Sequence, residues 1–150
     1  QLTDTQAFHL LGNASARNHA HAMVELGLCY YTGRWVKKDE GKALQSWRNA
    51  AAMGSKDAKV RLAIAKIRGR HRDNESALPE LQRAADGGSV LAEFALGYCY
   101  ETGSGVPKDK GKAVRLYRTS AQRGSQDAFR ALQRMHDALR PNEKQFHLDR

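Results

Sequence analysis

The sequence predicts an all-α fold, a right-handed α/α solenoid built from helix–turn–helix repeats. Residues 22–54 and 92–124 align without a gap at a spacing of 70 positions, with many identities. A weaker unit, residues 58–88, lies between them, offset from the first copy by 36 positions in its first half and by 34 in its second. Apolar residues recur at helical spacing within the units. Because one helix pair cannot bury its own apolar face, neighbouring pairs must complete a shared core.

The repeats also predict the domain organisation. A chain of 150 residues usually forms one domain, and we expect a single solenoid over residues 1–150. Its predicted parts are a partial repeat at 5–18, repeats at about 19–54, 55–88 and 89–124, a second partial repeat at 125–139, and a polar tail at 140–150.

The individual helices follow from local signals, taken along the chain. Apolar residues predict a first helix over 5–18 and a second over about 19–31, which Gly33 ends in left-handed geometry. Asp39 is placed to cap the third helix, and Gly54 ends it. The pattern then predicts helices near 56–67, 75–86, 90–101, 110–123 and 126–139, with Asp109 capping the one at 110.

Two glycines, Gly27 and Gly97, do not fit the role of helix stops, because they fall in the middle of predicted helices. A glycine there costs about 1 kcal/mol relative to alanine. Close contact with a neighbouring helix explains them best, since a larger residue would push the two helices apart.

Composition restricts the function classes. The hydrophobic content of 41% and the charged content of 27% are those of a soluble globular protein, and no run approaches the ~20 apolar residues of a membrane span. The net charge of +9 favours an acidic partner, which could be a protein, a nucleic acid or an anionic surface. The chain begins at Gln1, so we interpret it as a mature form or an excised piece: periplasmic or otherwise exported if a signal peptide was removed, and cytoplasmic if not.

No residue pattern points to catalysis, a metal or a cofactor. Cys29 and Cys99 occupy the same place in units two repeats apart, too far for a disulfide, and are interpreted as free core residues. His19 and His21 point to nearly opposite sides of a helix and have no further ligand beside them. We therefore predict that the protein is not an enzyme and binds no metal or cofactor.

One motif identifies a family. Each strong repeat reads Leu-Gly-x-x-Tyr-x-x-Gly, then Val-x-x-Asp-x-x-Lys-Ala, an aromatic residue, and Ala-x-x-Gly. This resembles the Sel-one-like repeat family, relatives of the tetratricopeptide repeats. The first copy departs from the pattern at Trp35, where the family prefers glycine, and the middle one has Lys66 for the tyrosine and Leu81 for the aromatic residue. The resemblance implies protein–protein interaction, as an adaptor or scaffold and often in bacterial envelope or host-contact processes, and it does not imply catalysis.

The resemblance also implies a binding face. In related repeats the first helix of each pair presents certain positions to a concave groove, and these carry over to Val24, Leu28, Tyr31, Val60, Ile64, Ile67, Phe94, Tyr98, Glu101, Arg130 and Arg134. The groove would then run from apolar and aromatic to basic, and aromatic and arginine residues are favoured at binding hot spots. The alternative interpretation is that several of these side chains pack against the next helix and belong to the core.

A second candidate is the basic run at the shortened loop of the middle repeat, Lys66, Arg68, Arg70, His71 and Arg72. It could contact an acidic partner or nucleic acid, or it could be a solvated loop. Nucleic-acid binders usually add stacking aromatic residues, and none lies within this run, so nucleic acid is the less favoured partner.

The sequence thus favours a non-catalytic module that binds another protein in its concave groove, and the positive charge makes an acidic protein one candidate. One alternative is an immunity protein, a dedicated inhibitory binder of an acidic toxin or lipase effector. The other is polyanion or nucleic-acid binding through the basic surface. The sequence predicts no oligomeric state.

Overall fold

The computed structural model describes residues 3–16, 19–69 and 73–139, which form helices joined by turns and short loops, with no strand among them. The eight helices in this part of the chain are α1 Asp4–Ala16, α2 Ala20–Thr32, α3 Glu40–Ala52, α4 Lys56–Arg68, α5 Asn74–Asp86, α6 Val90–Thr102, α7 Lys110–Gln122 and α8 Gln126–Leu139. Every predicted helix is present with its ends close to the expected positions. The prediction of an all-α fold of helix–turn–helix repeats is confirmed.

The helices group into two compact units, residues 1–65 and residues 66–150, with the boundary inside α4. Unit 1 contains α1 to α3 and most of α4, and unit 2 contains the end of α4 and α5 to α8. The single solenoid domain over the whole chain stays a prediction, and the polar tail at 140–150 lies outside the described residues.

The predicted helix caps are confirmed. The backbone N–H of Lys42 donates to Asp39 Oδ1 at 3.0 Å, and that of Lys112 donates to Asp109 Oδ1 at the same distance. Both aspartates thereby satisfy a donor that the first turn of a helix leaves open. Gly33 ends α2 with a φ of 78°, in the left-handed region that glycine adopts most readily.

The core of unit 1 is built where α2, α3 and α4 pack together. Trp47 of α3 is 3% exposed, and its indole N–H donates to the carbonyl oxygen of Val24 at 3.1 Å. Small residues, Ala50 of α3 and Ala58 of α4, allow the helices to approach this ring closely. The core of unit 2 repeats the arrangement around Tyr117, which is fully buried with Ala113 and Ala128.

The two glycines within helices face these aromatic rings, as the predicted close contact requires. A Cβ added to Gly27 would lie 2.6 Å from Trp47 Cδ1, and one added to Gly97 would lie 2.6 Å from Tyr117 Cε1. No real Cβ fits at such distances. Because each glycine lacks a side chain, it leaves the space into which the aromatic residue of the following helix packs.

Candidate functional site

Five of the predicted groove residues of unit 2 lie on α6 and α8, and two of them, Glu101 and Arg134, are in direct contact. Arg134 of α8 donates to Glu101 of α6 through both terminal guanidinium nitrogens, Nη1 to Oε2 at 2.6 Å and Nη2 to Oε1 at 3.0 Å. This double ion pair shows that Arg134 lies beside α6, and Arg130 lies about one turn earlier on α8. We call the surface formed by Phe94, Tyr98, Arg130 and Arg134 the α6–α8 face.

Glu101 stands at the centre of a hydrogen-bonded group below this face. Besides the arginine, it accepts a hydrogen bond from the Tyr117 hydroxyl at 2.7 Å. The bonds from Arg134, with a further one from Tyr117, lower the pKa of Glu101 despite partial burial, and burial followed by the Glu101 contact raises the pKa of Tyr117. Glu101 is therefore a carboxylate that holds Arg134 in position and has little exposed surface of its own.

The aromatic residues of the α6–α8 face are held by contacts on one side and partly exposed on the other. The Phe94 ring packs against Tyr117 with centroids 5.6 Å apart. The guanidinium carbon of Arg68, at the end of α4, lies 5.0 Å from the centroid of Tyr98. Both rings keep part of their surface accessible. Arg130 pairs with Asp127 on its own helix at 3.3 Å, and 72% of its side chain is exposed.

The corresponding side chains of unit 1 are also partly covered. Tyr31 packs on Trp47, with ring centroids 5.2 Å apart, and Leu28 lies against the same core. Ile64 on α4 is half-buried. These three residues expose only part of their surface, and their role in binding stays a prediction.

The predicted binding role of Val24 is wrong. It is 2% exposed and lies in the core of unit 1, because α3 covers it and its carbonyl oxygen accepts the Trp47 indole N–H. Its side chain is therefore not available to a partner. Val60 at 4% and Ile67 at 5% exposure are also core residues, as the alternative interpretation of the sequence allowed.

The basic run is only partly described. Lys66 Nζ lies 3.5 Å from Glu80 Oε1, and Arg68 stacks on Tyr98 as above. Both side chains thus have partners within unit 2. Arg70, His71 and Arg72 lie outside the described residues.

Sequence reasoning missed an ion pair that helps to fix α6. Glu93 on α6 is buried and pairs with Arg123, which follows α7 and also donates to the carbonyl oxygen of Gly88 at 2.7 Å. At the corresponding positions the first copy has Met23 and Met53. Both positions thus change from methionine to charged residues of opposite sign. The alignment of the two copies contains this signal, and it could have indicated the ion pair.

The described residues offer no group suited to metal chemistry: in residues 3–16, 19–69 and 73–139 no three His, Cys, Asp or Glu residues stand together as metal ligands would. Both cysteines are free and buried. Burial raises the pKa of the Cys99 thiol to about 11, and it also raises that of Cys29. A thiol with a raised pKa is a poor nucleophile at neutral pH. Within the same part of the chain no helix has the length and apolar character needed to cross a membrane.

Comparison with known proteins gives matches at the level of the repeat and of the whole fold. The Sel1 repeat family model matches residues 20–55 and 90–125, which contain the α2–α3 and α6–α7 hairpins. The crystal structure of a Sel1 repeat protein from Oxalobacter formigenes superposes with a TM-score of 0.67 at 31% identity, covering 92% of this chain and 57% of that one.

Two curated relatives are much longer than this chain. The DAP3-binding cell death enhancer 1 of Rattus norvegicus is 26% identical over 162 residues, a match that covers 83% of this chain and 32% of the relative. The chitin synthase regulator SKT5 of Malassezia restricta is 31% identical over 125 residues, covering 79% of this chain and 9% of the relative. The chain therefore spans about a third or less of these relatives, and the matches do not restrict its source to bacteria.

One family is supported by the two repeat matches, by the aromatic–glycine contacts of α2–α3 and α6–α7, and by the superposition on a solved member. Sel1 repeats generally mediate protein–protein interaction, and no enzymatic family is indicated. The chain therefore belongs to the Sel1 repeat family.

Proposed function

We propose that this protein is a non-catalytic adaptor or scaffold module that binds a partner protein on the α6–α8 face. One observation carries the proposal: α8 has two exposed arginines, and α6 has two partly exposed aromatic rings. Arg130 and Arg134 have 72% and 59% of their side chains exposed, and Phe94 and Tyr98 lie on the adjacent helix.

These residue types favour protein recognition. Aromatic and arginine side chains dominate the energetics of protein interfaces because they bury large areas and make directed hydrogen bonds. Arg134 is already held by Glu101 in the free protein, and Phe94 is held by Tyr117. A side chain that is ordered before binding loses less conformational entropy on association. The face is thus partly organised for binding in the absence of a partner.

Charge supports a partner that carries carboxylates. The chain has a net charge of +9, and the two α8 arginines stay 72% and 59% exposed although they pair with Asp127 and Glu101. The relatives support an adaptor role, since one is named for binding DAP3 and the other for regulating chitin synthase. We extend only the type of role, binding another protein, to this chain.

Site-specific photo-cross-linking tests the proposal. A benzoylphenylalanine residue replaces Tyr98 on the α6–α8 face in one version of the protein, and the exposed Arg118 on α7 in a control version. Each is irradiated in lysate of the source organism, and adducts are identified by mass spectrometry. We expect a discrete protein adduct from position 98 that is absent from position 118.

A second comparison uses charge. Replacing Arg130 and Arg134 by alanine removes two cations from the face, and replacing Arg115 and Arg118 by alanine removes two from the exposed side of α7. The first pair should abolish the adduct at position 98 and the second should not. If position 98 instead gives no protein adduct, or an adduct with nucleic acid, the proposal is wrong.

A further inference from the structure

Trp35, in the loop between α2 and α3, has a backbone conformation that is unfavourable for a residue with a side chain. Its φ is 67°, and among the described residues every other positive φ belongs to a glycine. At the corresponding position of the second copy the chain has Gly105, with a φ of 75°. The two loops therefore share one left-handed conformation, and only the first places a tryptophan in it.

The second copy shows what the normal packing at this position is. A Cβ on Gly105 would lie 2.6 Å from Leu78 Cδ1 and 2.7 Å from Asn74 Cβ, so α5 leaves no room for a side chain there. The first copy does accommodate a side chain, and the indole stays partly exposed. A strained residue that persists at the surface points to a role outside the fold itself.

One cation lies against this indole, and two more follow it in the loop. The Arg34 guanidinium carbon lies 4.4 Å from the centroid of the Trp35 ring, and Arg34 is exposed. Lys37 and Lys38 follow in the same loop and are also exposed. The nearest carboxylate in sequence, Asp39, is occupied as the cap of α3. We call Arg34, Trp35, Lys37 and Lys38 the Trp35 surface.

We propose that the Trp35 surface binds an acidic segment of a protein, with an apolar side chain of that segment against the indole and its carboxylates on Arg34 and the two lysines. The segment must be acidic because the three cations attract carboxylates. It must also carry an apolar residue because the exposed part of the indole needs an apolar contact. The surface belongs to unit 1 and uses no residue of the α6–α8 face, so it is a second contact surface beyond the function proposed above.

A protein fits this surface better than a nucleic acid. Single-stranded nucleic acid is usually held by several aromatic rings on which successive bases stack. Here the two rings nearest in sequence are already covered. Tyr30 contacts the Phe8 ring and Lys42 Nζ, each 5.5 Å from its ring centroid, and Tyr31 packs on Trp47 with ring centroids 5.2 Å apart. The Trp35 surface therefore offers a single aromatic ring.

A defined polymer that combines carboxylates with apolar rings tests this proposal. The probe is a fluorescein-labelled random copolymer of glutamate and tyrosine, and its binding to the full chain is measured by fluorescence anisotropy at fixed salt. Trp35→Gly copies the second repeat and relieves the strained backbone. We expect it to weaken copolymer binding by about tenfold, as loss of a hot-spot residue does, while the melting temperature stays equal or rises.

Two controls separate the indole from general charge. Arg34→Ala should weaken binding severalfold, whereas Arg48→Ala, an exposed arginine on α3, should leave it unchanged. Labelled polyglutamate should bind more weakly than the copolymer and should not respond to Trp35→Gly. Trp35→Asn, which also tolerates left-handed geometry, repeats the test if the glycine variant does not fold.

Several results would overturn the proposal. The first is absence of copolymer binding by the wild-type chain, or an affinity of Trp35→Gly within twofold of wild type. The second is an equal loss from Arg34→Ala and Arg48→Ala, which would mean general charge attraction. The third is tighter binding of an oligothymidylate than of the copolymer with the same sensitivity to Trp35→Gly, which would make this a nucleic-acid surface.

Discussion

Tyr117 donates its hydroxyl hydrogen to Glu101 at 2.7 Å, and the residues at the corresponding positions of the first copy, Trp47 and Tyr31, pack ring against ring instead. The indole N–H of Trp47 donates to the Val24 carbonyl oxygen. The buried hydroxyl of Tyr117 needs a hydrogen-bond acceptor, and the Glu101 carboxylate supplies it. The two positions have thus changed together, and in unit 2 the change provides the carboxylate that holds Arg134.

The first prediction concerns the pH dependence that Glu101 adds to stability. Because hydrogen bonds from Arg134 and Tyr117 lower its pKa in the folded protein, its contribution is fully present above the ordinary glutamate pKa of about 4.3 and is lost as pH falls through the lower folded value. We expect Glu101→Gln to cost about 1–2 kcal/mol at pH 7, as the loss of charged hydrogen bonds does. The difference from wild type should shrink towards pH 3.

Thermal denaturation between pH 7 and pH 3 measures this difference. Asp127→Asn is the control, because Asp127 and its partner Arg130 are both largely exposed, at 65% and 72%. Such surface pairs contribute little, so this variant should match wild type throughout. A Glu101→Gln deficit that stays constant with pH would contradict the assignment.

The second prediction concerns the glycines that contact the aromatic rings. Gly97→Ala would bring a Cβ to 2.6 Å from the Tyr117 ring and should destabilise the protein by about 1–3 kcal/mol, despite the better helix propensity of alanine. Gly12→Ala in α1 is the matched control, because nothing lies within 4 Å of its added Cβ. This control should gain up to about 1 kcal/mol. Melting temperatures compare the two, and a Gly97→Ala variant as stable as wild type would refute the packing argument.

The third prediction concerns the ion pair between Glu93 and Arg123. Arg123→Met should cost about 2 kcal/mol, because it leaves the buried Glu93 carboxylate without its charged partner. The double variant Glu93→Met with Arg123→Met copies Met23 and Met53 of the first copy and should recover most of this loss. Urea denaturation of the single and double variants gives the coupling between the two positions. Simple addition of the two single effects would show that they act independently.

The fourth prediction concerns thiol reactivity. Burial raises the pKa of Cys99 to about 11, so at pH 8 very little thiolate is present to attack an electrophile. We expect iodoacetamide to modify Cys99 at least tenfold more slowly in the native protein than in urea, where a free cysteine has a pKa of about 8.5. Mass spectrometry of quenched time points follows the reaction. Native modification at the rate of the unfolded chain would show that the buried environment is not maintained.

Much of the fold was predictable from the sequence because its signals are local or repeated. The aspartates at 39 and 109 precede helical patterns, and a capping hydrogen bond spans only three residues. Gly27 and Gly97 were recognised as contact points because both copies carry a glycine where a helix disfavours one. The aromatic residue that each contacts is also in the motif, 20 positions further along the chain in each copy.

The candidate site was less predictable, because side chains at equivalent positions in the two copies differ in burial. Val24 and Phe94 occupy the same place in the repeat, yet Val24 is buried in the core and Phe94 keeps part of its ring exposed. Trp35 appeared in the sequence only as a departure from the family pattern. Its positive φ and the stacked Arg34 guanidinium, which make it a candidate contact residue, are visible only in three dimensions.

The sequence by itself determined the helices, their caps, the close helix contact at Gly27 and Gly97 and the family, because each rests on neighbours along the chain or on a motif that the chain repeats. The tertiary structure alone decided which charged groups pair between distant parts of the chain. Glu101 and Arg134 are 33 positions apart and lie on helices α6 and α8, and Glu93 and Arg123 are 30 apart. Such pairs depend on the packing of whole helices, which brings together side chains that no local pattern relates.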